Sequence, residues 1–169
     1  MVFVHSWRKK ICRIGLTVNK STLLHYTDTE ILNILRDVKT IAMVGVSSVK
    51  KEIGSNIVRR PSIIVMSYMQ DFGYKVIPVN PFAVGKIINN EKVVEKLEDI
   101  SEPIDIVNVF RPSKETPEIA NQAVKIGTNV LWLQYGIQNE ETKKIAEVNN
   151  ITYISNKCIK QEYQRLFLK

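Results

Sequence analysis

The chain has 169 residues, enough for one domain with a buried core, and it lacks any run of about 18 apolar residues that could span a membrane. Its formal net charge is +7, but Arg8, Lys9, Lys10, Arg13 and Lys20 stand in the first 20 residues without an acid and account for +5, which leaves +2 for the rest. Lys and Glu are interspersed there, so no basic cluster marks a nucleic-acid face and no nucleic-acid partner is expected.

Residues 1–24 read as a basic extension ahead of a single domain over 25–169. MVFVHSWRKKICRIGLTVNK has no long apolar core, which argues against a secretory signal. An Arg-rich, acid-poor start also fits an organelle transit peptide. The reading adopted is a disordered tail or a start codon placed too far upstream, because the bulk composition (rich in Ile, Lys and Asn) reads as an AT-rich bacterial gene. Cys12 and Cys158 are far apart, so neither a disulfide framework nor a zinc site is implied, and a reducing cytoplasm fits.

From Thr27 onward helix and strand signals alternate. Thr27-Asp28-Thr29-Glu30 is a capping box, and Ile31, Leu32, Ile34, Leu35 and Val38 follow as an apolar stripe at helical spacing. Residues 41–46 (IAMVGV) read as the first strand. Pro61 suits the first turn of a helix that runs to a stop at Gly73. Lys75 to Val79 is the second strand, closed by Asn80-Pro81, and Asp105 to Phe110 the third. A helix over Glu118 to Lys125 stops at Gly127. Val130 to Leu133 is the fourth strand, Glu140 to Val148 a helix, Thr152 to Ile154 the fifth strand, and a last helix covers about 160–167.

IAMVGV, VIPV, DIVNVF and VLWL are apolar on both alternations, as parallel strands covered on both faces must be. Right-handed crossovers then predict an α/β fold: a doubly wound, mostly parallel five-stranded sheet with helices on both faces. Such a sheet binds its ligand outside the carboxyl ends of its strands. Gly45, Ser47 and Ser48 follow the first strand, and Asn80 and Pro81 the second. Arg111, Pro112 and Ser113 follow the third, and Gln134, Tyr135 and Gly136 the fourth. Each has a plainer account: the glycines suit tight turns, Asn80-Pro81 is a turn signal, and Arg111 a surface cation. Their convergence on one edge is what points to a site.

The chemistry of the edge selects among nucleotides. An NAD site needs an acid at the end of the second strand, where Val79-Asn80-Pro81 has none, and the G-x-G-x-x-G spacing is missing as well. A P-loop is absent too. A nucleotide with an extra ribose phosphate tolerates the missing acid and wants cations, which Arg111, Lys86 and Lys114 supply.

"TIAMVGVSS", "RRPSIIVMSYMQDFGYKVIPVNP", "DIVNVFRPSKETPEIANQAVKIGTNVLWLQYGI" and "NKCIKQEYQRL" together resemble the stand-alone CoA-binding domain proteins. That bacterial family is similar to the CoA-binding domain of succinyl-CoA ligase alpha chains. The resemblance covers about residues 38 to 166 and is carried by R-P-S, G-Y-x-V-x-P-V-N-P, V-F-R and W-x-Q-x-G-I in combination. It implies a Rossmann-like fold with CoA or an acyl-CoA across the strand ends. Gly45 and Ser47 would approach the diphosphate, Asn80 and Pro81 flank the nucleotide, and Phe110 and Arg111 line the floor. Leu133, Gln134 and Gly136 would close the pantetheine side.

The chain departs from the family pattern at two places. "KKEIGSNIVRR" looks like an insertion in a loop that is usually much shorter, and the family's glycine before the second helix corresponds here to Asn90, a residue that tolerates positive φ. Ligases of this kinship use a phosphorylated histidine, whereas the histidines here, His5 and His25, precede the nucleotide fold. Cys158, beside Lys157 and ahead of the last helix, is the remaining candidate nucleophile, with a buried small hydrophobe as the plainer reading. The function expected is therefore non-catalytic binding of CoA or an acyl-CoA, with an enzyme partner or homo-oligomer conceivable. The alternatives are an acyl-CoA ligase-type subunit and an NAD-binding oxidoreductase. Gly45 is expected to be the least replaceable residue, its missing side chain leaving room for a diphosphate, and Gly45→Val to abolish binding without much harm to the fold.

Overall fold

A computed structural model describes residues 26–47 and 60–168. Helix α1 (Asp28–Asp37) opens on the capping box: Glu30 N–H donates to Thr27 Oγ1 at 3.3 Å and Thr27 N–H to Glu30 Oε2 at 2.7 Å. Strand β1 (Thr40–Val44) follows, then α2 (Pro61–Asp71) with Pro61 in its first turn, and β2 (Lys75–Val79). A small hairpin comes next, β3 (Ile87–Ile88) and β4 (Glu91–Lys92). After it run β5 (Ile106–Val109), α3 (Thr116–Ile126), β6 (Val130–Leu133), α4 (Glu140–Val148), β7 (Thr152–Ile154) and α5 (Ile159–Phe167).

The five long strands form one sheet in the order β2-β1-β5-β6-β7, every neighbouring pair parallel. Alternation along each strand divides the side chains between two cores. Ile41, Met43, Val76, Ile106 and Trp132 face α1, α2 and α5. Ala42, Val44, Ile77, Val107, Val109 and Leu131 face α3 and α4. Apolar area on both faces supplies the main favourable term in folding, and the doubly wound α/β arrangement is the one expected from the double-sided runs.

Three elements differ in extent from the sequence reading. β1 ends at Val44, because Gly45 turns the chain with φ +90°. β5 is two residues shorter than Asp105–Phe110. Asp105 instead caps the edge, its Oδ2 accepting from Lys39 N–H at 2.8 Å and Thr40 N–H at 3.0 Å. α3 starts earlier, at Thr116. The hairpin was not foreseen, since strands of two residues show no periodicity. Asn90, expected before a helix, is instead the second residue of the hairpin turn, where Asn89 and Asn90 have φ of 46° and 66°. Positive φ at both central residues is the twist a two-residue hairpin requires.

Candidate functional site

The chain leaves β1 for β2 on one side of it, and β5 lies on the other, so the connections diverge between β1 and β5. That switch point is where an open α/β sheet receives a ligand. Two main-chain bonds shape it: Gly45 N–H donates to Val79 O at 2.9 Å, and Phe110 N–H to Val44 O at 2.8 Å. The loops after β1 and β5 therefore run closely side by side.

This proximity corrects the expectation that Gly45→Val would spare the fold. A Cβ built there would lie 2.7 Å from Arg111 Cδ and 2.9 Å from the Phe110 carbonyl oxygen. The space beside Gly45 belongs to the neighbouring strand end, so Gly45→Val would disturb the fold itself. Arg111, half-buried, donates from Nε to Glu115 Oε2 at 2.8 Å. The guanidinium carries further donors, so it can meet an anion from the position its partner holds. Phe110 packs partly buried on the α1, α2 and α5 core.

Asn80 is a clamp between strand ends. Its Nδ2 donates to Val46 O at 2.8 Å while its Oδ1 accepts from Phe82 N–H at 2.9 Å, which begins a short 3-10 turn at Pro81. Both amide ends are thus taken by the chain. Pro81 is exposed, and Phe82 beside it is 83% exposed. Ser47 N–H donates to Ser62 Oγ at 3.2 Å, which ties the β1 loop to the start of α2. The first turn of α2 carries no acid, so its dipole suits an anion. Ser48 and the expected insertion up to Arg59 lie outside the described residues, while Arg60, the N-cap of α2, is exposed. Lys86 and Lys114 are exposed as well.

At the end of β6 the expected residues separate by burial. Leu133 is wholly buried in the α3 and α4 core, so it supports the edge from beneath. Gln134 is 4% exposed and donates from Nε2 to Asn108 Oδ1 at 2.7 Å. Tyr135 is 76% exposed. Gly136, with φ +80°, donates its N–H to Asn156 Oδ1 at 2.8 Å. The loop after β7 thereby covers the end of β6, and Trp132 Nε1 fixes it by donating to Lys157 O at 2.7 Å. Ser113, on the β5 side, accepts through Oγ from Gln138 N–H at 3.2 Å.

The structure thus brings Gly45, Ser47, Asn80, Phe110 and Arg111 together at the switch point, with Gln134 and Gly136 along the same edge. Sequence reasoning missed Ser62, Asn108 and Asn156. Asn108 had a signal, a lone polar residue inside an apolar strand. Cys158 is half-buried at the N-cap of α5 and packs against the core. Among the described residues no group of three His, Cys, Asp or Glu is placed to hold a metal ion, and no helix is long and apolar enough to cross a membrane. The described edge offers a helix start without an acid and a cation, Arg111, whose terminal nitrogens carry further donors, and both suit an anionic ligand.

Comparison with known proteins gives a consistent result. The family model described as the CoA binding domain matches residues 39–164. The uncharacterized protein YneT of Bacillus subtilis is 39% identical over 131 residues, 78% of this chain and 90% of that protein. A hypothetical protein from Pyrococcus horikoshii OT3 is 34% identical, with a TM-score of 0.75 over 88% of this chain and 99% of that one. An acetyl-coenzyme A synthetase 1 of Ca. Korarchaeum cryptofilum shares the fold at 20% identity and a TM-score of 0.57, over 74% of this chain and 28% of that one.

Proposed function

The chain belongs to the CoA-binding domain family, and from that premise we propose that it binds CoA or an acyl-CoA without catalysing a reaction. The ligand would lie across the carboxyl ends of β1, β2, β5 and β6. Gly45, Ser47 and Ser48 would bring backbone toward the diphosphate, and Arg111 would supply the charge. Asn80 and Pro81 would flank the nucleotide, with Phe110 as floor. Gln134 and Gly136 would border the pantetheine arm over Leu133. The observation that carries the reading is the switch point itself, where Gly45 and Arg111 meet beside the acid-free first turn of α2. The second strand ends in Asn80, whose amide is already committed to Val46 and Phe82, so the ribose acceptor of an NAD site is lacking. A cytoplasmic location accords with this reading.

A second reading is a subunit that acts only with a catalytic chain. It draws on the acetyl-coenzyme A synthetase, in which the matched part is 28% of the chain. Co-purification with a stoichiometric partner that confers acyl-CoA synthesis would favour it.

Calorimetry tests the first reading. CoA is expected to bind with a Kd in the micromolar range, about −8 kcal/mol, and NAD far more weakly. Equal or tighter binding of NAD would overturn the assignment. Native mass spectrometry of the purified protein gives a second check, a retained CoA-type nucleotide.

A further inference from the structure

Asn108 stands in the middle of β5 with 0% exposure, between Met43 of β1 and Trp132 of β6. Its neighbours on that face of the sheet are apolar. The carbonyl end of its amide is satisfied by Gln134 Nε2 at 2.7 Å, but Nδ2 has no hydrogen-bond partner. A buried donor left unpaired costs stability. An apolar residue of the same shape would avoid that cost, so the donor calls for an acceptor that the chain does not supply.

We propose that Asn108 Nδ2 donates a hydrogen bond to a neutral carbonyl on the pantetheine arm of the bound coenzyme, an inference that rests on the CoA reading above. Asn108 belongs to the strand on one side of the switch point, and the polar route from the edge to it is the side chain of Gln134. Gln134 follows β6 two positions beyond Trp132, which pairs with Asn108, so its side chain reaches back from the edge to hold the buried amide. The Asn108 amide is closed to solvent in this structure, so the proposed bond requires the Gln134 side chain, which holds it, to turn aside when the ligand binds. The acceptor is neutral because Asn108 is fully buried among apolar side chains beneath the edge, where a phosphate stripped of water would lack a counter-charge. The pantetheine arm carries two amide carbonyls, and a thioester adds a third. Each is a neutral acceptor on a slender chain.

The test compares CoA with adenosine 3′,5′-bisphosphate, which lacks the arm, by calorimetry on the full chain. In Asn108→Leu the affinity for CoA is expected to fall roughly tenfold, while that for the bisphosphate stays within about twofold. The Asn108→Leu/Gln134→Leu double variant, which removes both amides, is expected to melt no lower than the wild type. Unchanged CoA affinity in a folded Asn108→Leu overturns the proposal and leaves a buried water as the acceptor. A parallel loss of both ligands also overturns it, because the amide would then serve the nucleotide half or the fold. Failure of the wild type to bind CoA would instead remove the CoA reading, and this inference with it. If the variants do not fold, NMR of the wild type decides. The Asn108 side-chain amide protons should shift on adding CoA but not the bisphosphate, and protons unmoved at saturating CoA refute the bond.

Discussion

Arg111 lies across Gly45: the space a side chain would need at residue 45 is filled by Arg111 Cδ, 2.7 Å from an added Cβ, and by the Phe110 carbonyl oxygen at 2.9 Å. The pair joins the ends of β1 and β5 where the sheet's connections diverge. A side chain at residue 45 would also have to adopt φ +90°, a conformation costly for L-residues.

The first prediction follows from that contact. Gly45→Ala is expected to lose about 2 kcal/mol or more of stability, from backbone strain and the displaced arginine. Arg111→Ala should recover part of the loss, since it removes the Cδ contact but leaves the carbonyl one. Urea unfolding of the two single variants and the double variant measures the coupling. Strictly additive losses would show that the two residues do not crowd each other.

A second prediction concerns alkaline stability. Tyr74 is 9% exposed, and its hydroxyl donates to Leu35 O at 2.6 Å. Burial, with a smaller effect from Tyr163, holds its phenol well above the ordinary value of 10.0. The folded chain therefore keeps this proton more tightly than the unfolded chain does. The contribution is complete below pH about 10 and is lost as pH rises beyond it, where the unfolded tyrosine ionises first. Tyr74→Phe should flatten the decline above pH 10, at a cost of about 1 kcal/mol at neutral pH for the lost hydrogen bond. Burial also raises Tyr26, so some decline should persist. An identical alkaline slope in Tyr74→Phe would contradict the assignment.

The third prediction addresses residues 1–24, which lie outside the described residues. Folded structure is tied down from Thr27 onward: the capping box starts α1, and Arg165 of α5 grips Asp28 with both terminal nitrogens. Deleting residues 1–24 should leave CoA affinity unchanged and shift the melting temperature by less than about 2 °C. A larger drop would mean that the extension packs on the domain.

The order of elements and the class of fold were legible in the sequence because the signals are local. A capping box acts across three residues, Pro61 and Gly127 mark helix ends through their own φ preferences, and double-sided apolar runs report burial on both faces. Gly127 does adopt the left-handed cap at φ 69°. The edge on which the candidate residues gather was legible too, since parallel strands joined by crossover helices all end on one side. Tertiary structure alone decided the strand order, and with it the neighbours of each strand end. It showed that the Phe110 carbonyl and the Arg111 side chain fill the space beside Gly45, that Leu133 is core, and that Asn80 and Gly136 are bound to other loops. It also left Asn108 with a buried donor unpaired. Those facts join residues far apart in the chain, and short-range periodicity and capping carry no information about which distant backbone will pass within 3 Å.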